Sequence, residues 1–173
     1  MQPAPVFWQR FSCRSYQDKP VPPEHIEAIL EAGRWAPTAG NLQPWRFHVV
    51  RNHGLRRDLA LAAHGQDFLS AAPVVIAVCA VPEQSGATYG ERGRSLYCLQ
   101  DTAAAAQNIL LQATMLGLGA VWVGAFRESA AARALSLPEG EKPVALIAVG
   151  YSAEPMPQDR TRKGLEDVVR RLD

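Results

Sequence analysis

Val74-Val75-Ile76-Ala77-Val78-Cys79-Ala80-Val81 is an unbroken apolar run inside an otherwise mixed chain. A strand with one wet face alternates apolar and polar residues. A run with no polar member reads as a central strand covered on both faces. Val144–Val149 reads the same way, and Ala120–Val123 supplies a third strand. Trp45–Arg51 alternates instead, with Trp45, Phe47 and Val49 set against Arg46, His48 and Val50, as a half-buried strand does.

Helical patterns fill the gaps. Pro22-Pro23 opens a helix, and Ile26, Ile29, Leu30 and Gly33 recur at helical spacing as far as Trp35. His53 to His64 reads as a surface helix with Leu55, Leu59 and Ala62 inward, and Asp67–Ala71 as a short link. A long helix is expected from about Ser95 to Leu116, ended by Gly117-Leu118-Gly119. It is apolar on nearly every side, so the fold, a second subunit or both must cover it. Ser129–Leu135 and Leu165–Leu172 are expected as further helices, and Pro82–Gly93 as a mobile loop. Strands interleaved with helices over short connections predict an α/β or α+β sandwich, helices on both faces of one sheet. The 173 residues are expected to form one domain, 1–173.

Composition narrows the chemistry. Lys and Arg total 18, Asp and Glu 17, for a net charge of +1. There is no broad basic field for nucleic acid or an anionic membrane, so any anion must be held by a local cluster. No apolar run is long enough to span a bilayer and no signal peptide is read, which makes the cytoplasm the expected location. Cys13, Cys79 and Cys98 are odd in number and scattered, which argues against a disulfide framework or a zinc site. His48, His53 and His64 are isolated along the sequence, without metal-ligand spacing. No dinucleotide fingerprint or P-loop is present.

Two segments carry candidate chemistry. Arg10-Phe11-Ser12-Cys13-Arg14 places two guanidinium groups and a hydroxyl within five residues, an inventory suited to a phosphate. Cys13 there reads either as a thiol of lowered pKa or as a small space-filling residue. Ala36-Pro37-Thr38-Ala39-Gly40-Asn41-Leu42-Gln43-Pro44-Trp45 is turn-rich and dense in amides and hydroxyls, suited to the polar edge of a flat heterocycle. Trp35 and Trp45 read as core aromatics, and Asp101 as a capping or pairing residue.

These two segments, with Gln100-Asp101 through Gln107-Asn108 to Gly117–Phe126 and Val149-Gly150-Tyr151 through Arg160-Thr161-Arg162, resemble the motifs of the FMN-dependent nitroreductase family in their order. The resemblance implies a three-layer α/β/α sandwich of the α+β class. Its sheet is mixed, mostly antiparallel, and its long central helix lies at a dimer interface. It also implies a C2 homodimer with FMN between the subunits. Arg10, Ser12 and Arg14 then hold phosphate and ribityl, with Arg160 or Arg162 closing over them. Phe11 stands where a basic residue is common and brings no charge. The Pro37–Gln43 loop matches the segment that reaches the flavin from the partner. Thr38 then meets the ring or ribityl, and Asn41 and Gln43 bond either flavin or their own loop. Val123, Gly124 and Ala125 match the loop whose backbone N–H groups face flavin N5 and O4.

The activity so implied is NAD(P)H oxidation with ping-pong transfer to a nitroaromatic, quinone or related small-molecule acceptor. NADH or NADPH is the donor, and no side chain is required as a catalytic acid, base or metal ligand. The alternatives are a flavin-binding or FMN-storage protein without turnover, and a member with specialised dehalogenase or dehydrogenase chemistry.

Overall fold

The computed structural model describes residues 2–172. Its centre is a four-stranded antiparallel sheet built from β1 (Trp45–Val50), β2 (Val74–Ala80), β3 (Gly119–Val123) and β4 (Lys142–Gly150), in the order β1-β2-β4-β3. The two apolar runs, β2 and β4, are the inner strands, and every residue of β2 is buried. The side-chain period of two divides them between two cores. Val74, Ile76 and Val78 of β2 join Ile147 and Val149 of β4 beneath α2 (Pro23–Arg34) and α6 (Cys98–Met115). Val75, Ala77 and Cys79 face the other way with Leu146 and Ala148, beneath α3 (His53–Ala62), α4 (Phe68–Ala71) and α7 (Glu128–Ala134). The result is the three-layer α+β sandwich expected.

Edge strand β1 departs from its predicted alternation. Trp45 is buried, but Val49 is exposed and Val50 is buried in the second core. The strand lies at the sheet margin, where the helical layer ends before Val49 and α3 still covers Val50. Within α3, Leu59 and Ala62 are buried as expected, while Leu55 is exposed.

Three further expectations are corrected. Residues 82–93 are not a loop: Pro82–Arg92 forms α5, kinked at Gly90 (φ 56°), and Gly93–Tyr97 continues as a π-helical turn into α6. Pro82 fits the first helical turn because its missing N–H is an orphan there anyway. The last helix, α8, spans only Leu165–Val168. Trp35 is not a core residue: it is 72% exposed, its indole N–H donating to Glu31 at 2.6 Å.

The long helix spends most of its apolar surface inside its own chain. Ala105, Ala106, Ile109, Leu110 and Ala113 are buried against the sheet and α2. Leu99, Ala103, Gln107 and Met115 remain on the outside. A short helix, α1 (Val6–Gln9), precedes the amino-terminal segment, which docks on the far edge of the sheet. The expected mixed sheet is antiparallel throughout its four strands; the parallel contact is an isolated bridge from Ser12 to Ala120, and Tyr16 bridges Ser152 antiparallel beyond β4. The Cys13 amide donates to the Ala120 carbonyl at 3.2 Å.

Gly119 permits this docking. A Cβ there would lie 2.6 Å from Cys13 Sγ and 2.7 Å from its Cβ. Gly119→Ala is expected to cost about 1–3 kcal/mol by overpacking, read by denaturant unfolding. Amide exchange at residues 12–16 is expected to rise with it. Unchanged exchange there would mean the segment is held by other contacts.

Candidate functional site

Docking places Arg10 beside the carboxy-terminal segment. Arg160 donates through its guanidinium to the carbonyls of Arg10 and Trp8, and approaches the Met156 sulfur at 3.3 Å. Burial holds the Arg10 pKa below the ordinary arginine value, and the charges of Arg160 and Arg162 push it further down. Three guanidinium groups therefore sit within reach of one another. Neither these three nor Arg14 forms an ion pair with a carboxylate among the described residues. Phe7, Trp8, Arg160 and Arg162 line a cavity of about 170 Å³. Like charges gathered without a counter-charge are costly unless an anion completes the set.

The rest of the 10–14 segment divides its tasks. Phe11 turns away from the cluster into a cavity shared with Gln9, Gly119 and Ser152. Ser12 is pinned by its bridge to β3. Arg14 bonds the Ser12 carbonyl at 3.3 Å and lies 5.8 Å from the Phe68 ring centroid. Its backbone amide donates to Glu154 Oε1 at 2.6 Å. Cys13 corrects the reading of a lowered pKa. Its thiol is fully buried and donates to the Ser15 carbonyl at 3.2 Å, and burial pushes its pKa up. It is a packing residue, since only a thiolate is a strong nucleophile.

A second cluster fixes the Pro37–Gln43 loop. Asp101, buried on α6, accepts from Thr38 Oγ1 at 2.7 Å and from the Ala39 amide at 3.2 Å. Thr38 Oγ1 in turn accepts from the Gln43 amide at 3.0 Å. The Thr38 hydroxyl is thus spent inside the loop, and Asp101 is the pairing residue expected. Asn41 and Gln43 adopt left-handed backbone, φ 55° and 53°, and Gln43 Nε2 donates to the Asn41 carbonyl at 3.2 Å. Left-handed non-glycine residues carry local strain that surrounding contacts must hold. Pro37 leads into this turn from α2.

The third group lies at the end of β3. Val123 is buried as the last strand residue, and Gly124 and Ala125 are exposed beyond it. Among the described residues, neither the Gly124 nor the Ala125 amide donates to a backbone carbonyl. A Cβ on Gly124 would meet only Trp122 Nε1, at 3.7 Å, so open space lies beside these free donors. The structure therefore brings Arg10, Arg160 and Arg162 together and leaves Gly124 and Ala125 as a separate donor edge. It folds Thr38, Asn41 and Gln43 into a self-bonded loop on Asp101. The pairing of Arg160 with the Trp8 carbonyl was not legible in the sequence, because nothing local signals a contact across that separation.

Two measurements test this arrangement. Asp101→Ala leaves the Thr38 hydroxyl and Ala39 amide without their acceptor, at a cost of about 1–3 kcal/mol, with faster exchange expected across residues 38–43. Cys13, Cys79 and Cys98 are fully buried and all have raised pKa values. A thiol reagent at pH 8 is expected to modify none of them in the folded protein and all three after unfolding. Rapid modification of native Cys13 would restore the lowered-pKa reading.

Comparison with known proteins converges on one family. The nitroreductase family model matches residues 8–66 and 60–151. A protein of Archaeoglobus fulgidus, provisionally named an NADH dehydrogenase/NAD(P)H nitroreductase, is 37% identical over 150 residues, 84% of this chain and 83% of its own. The NADPH-flavin oxidoreductase of Vibrio harveyi is 29% identical over 81% of this chain and 61% of its own length. The crystal structure of a nitroreductase family protein from Clostridium difficile superposes with a TM-score of 0.82 at 34% identity, covering 95% of each chain. With the family model spanning most of its length and this fold, the chain belongs to the nitroreductase family of oxidoreductases.

Proposed function

We propose that this protein is an FMN-dependent NAD(P)H oxidoreductase working as a C2 homodimer in the cytoplasm. The observation that carries the reading is the guanidinium cluster of Arg10, Arg160 and Arg162, which has no carboxylate partner among the described residues. That donor set suits a phosphate dianion, which several charge-assisted bonds hold best. Ser12 and Arg14 continue the same surface towards the ribityl chain. The free amides of Gly124 and Ala125 offer fixed donors to the N5 and O4 edge of a flavin, and glycine lets that edge approach closely.

FMN held there supplies two-electron transfer from NADH or NADPH to a nitroaromatic, quinone or related acceptor in ping-pong order. The protein's own share is placement and electrostatics. Arg10, Arg160 and Arg162 neutralise the phosphate, and the β3 end aligns donors that need no reorganisation. The Asp101-braced loop presents Pro37, Asn41, Gln43 and the Thr38 backbone as a rigid wall, since the Thr38 hydroxyl is already engaged.

The size of the cavity is in keeping with a homodimer. The cavity of about 170 Å³ at the arginines accommodates a phosphate, and is well below the roughly 300–1,000 Å³ of ordinary cofactor pockets. A second subunit's 37–43 loop is therefore assigned the other wall of the slot. Exposed Leu99 and Met115 on α6, with Trp35, Leu165, Val168 and Leu172, provide the apolar surface for the pairing.

The purified protein is expected to be yellow, to sediment as a dimer, and to lose its flavin absorbance on anaerobic mixing with NADH or NADPH. A yellow protein that is not reduced by either nucleotide would make it a flavin carrier instead. Arg10→Ala is expected to weaken FMN binding by about 10–100-fold, one charge-assisted contact being worth about 1.5–3 kcal/mol. Its melting temperature without flavin is expected to stay unchanged. Retention of parental FMN affinity would remove Arg10 from the phosphate site.

A further inference from the structure

Away from both donor clusters, three elements converge on one point on the sheet face that carries α3 and α7. His48 projects from β1, Cys79 from β2, and Glu141 from the turn leading into β4. Their ligand atoms (imidazole nitrogen, thiol sulfur, carboxylate oxygen) all lie within 4.8 Å of one another. His48 faces Ala77 across the β1–β2 ladder and Arg46 faces Cys79, so His48 and Cys79 are diagonal neighbours on one face of the sheet. A bulge in the β2–β4 ladder sits at this place. Val78 pairs with Ala145 but Cys79 with Pro143, so Val144 is the extra residue, and the bulge shifts the start of β4 relative to Cys79.

We propose that His48, Cys79 and Glu141 form a binding site for a divalent transition-metal cation of zinc's type, with solvent in the fourth position. Imidazole, thiolate and carboxylate together are a zinc-like donor set, and three protein ligands with one open position is a common zinc arrangement. The side chains of His48 and Glu141 are 32% and 14% exposed, which gives an entry path, whereas Cys79 closes the inner end.

The sulfur supplies a second observation. Cys13 donates to the Ser15 carbonyl and Cys98 to the Arg94 carbonyl at 2.9 Å. Among the described residues Cys79 Sγ donates to nothing, although it is fully buried and points at a His–Glu pair. His48 Nε2 and Glu141 Oε2 are 2.7 Å apart, a hydrogen bond in the metal-free chain. Ligand bonds of about 2.0–2.3 Å in a tetrahedron separate donor atoms by roughly 3.3–3.6 Å. The His48–Glu141 contact therefore opens by under an ångström, and Cys79, within 4.8 Å of both, closes in by at most about 1.5 Å, which side-chain rotations supply. Binding is a ligand exchange without redox change: the cation replaces the thiol proton, which leaves to solvent, and displaces bound water.

The full-length protein, freed of metal with a chelator under reducing conditions, is titrated with Co(II) and then Zn(II). Difference spectra are taken against the protein alone, so that any flavin cancels. The expected result is one equivalent of cobalt, with a sulfur-to-cobalt charge-transfer band and visible ligand-field bands that zinc abolishes. His48→Ala and Glu141→Gln sit at part-exposed positions and are expected to fold, and each is expected to weaken binding at least ~100-fold, since loss of an outer-shell partner alone costs 10–100-fold. Cys79→Ser is expected to remove the charge-transfer band. Zinc is expected to raise the melting temperature of the parent and of neither part-exposed variant. Absence of the charge-transfer band in the parent overturns the proposal. So does a band that survives Cys79→Ser, or zinc stabilisation that persists in His48→Ala. None of these readouts depends on flavin binding or nicotinamide oxidation.

Discussion

The placement of the amino-terminal arginines depends on the docking of residues 12–16 along the β3 edge and the end of β4. The Ser12–Ala120 and Tyr16–Ser152 bridges are few, but they close a contact across most of the chain length. Such closure costs loop entropy before it returns any energy. Small residues recover that cost by letting the backbones touch: Gly119 lies against Cys13, and Gly150 against Pro73 and Tyr16. The buried Tyr16 hydroxyl donates to the Cys13 carbonyl at 2.8 Å, which fixes the segment's direction. With the segment set, Arg10 has no freedom to avoid Arg160 and Arg162. The clustered positive charge is thus set by packing.

The three-layer order was legible because β2 and the Val144–Val149 run of β4 carry no polar side chain, and strands of that kind need helices on both faces. The helix α2 was legible from its apolar spacing, and the long helix from an apolar stretch too long for a strand and closed by Gly117-Leu118-Gly119. Residues 82–93 were misread because three glycines and several polar residues imitate a loop. The segment is helical because Pro82 starts it, and because Arg94 pairs with Glu83 at 2.8 Å and packs its stem against Gly86. That pairing reaches across the kink at Gly90, which no local propensity reports. Trp35 was misread for the converse reason: an aromatic at the end of an amphipathic helix looks like core until the last turn rotates it outward.

At the site, residue type was readable and partnership was not. Two arginines and a serine within five residues announce an anion. Which carboxy-terminal arginine joins them depends on a fold contact, and the answer is that both lie near Arg10. The fate of the Thr38 hydroxyl was equally hidden, because Asp101 lies far along the sequence on another element. The same limit hid the grouping of His48, Cys79 and Glu141. Linear spacing finds metal ligands only when they share a loop or a helix, and these three lie on separate strands and a turn.

The division of labour between rigid and open parts bears on what the fold can do chemically. The donor edge at Gly124 and Ala125 is held at the end of a strand paired through Val123 to Leu146. The 37–43 loop is held by a buried carboxylate that accepts from the Thr38 hydroxyl and the Ala39 amide. Both are preorganised, and fixed groups give fuller electrostatic assistance than groups that reorient during a reaction. The surface beside the loop is built differently. Tyr89 packs edge-on against Tyr97, with ring centroids 5.2 Å apart, and its hydroxyl sits close over Gly40. This aromatic pair belongs to the kinked α5 and its π-helical continuation, the least regular helical stretch in the protein. A fixed loop beside an irregular aromatic surface lets the surface vary while the loop stays the same, which is how one fold serves many functions.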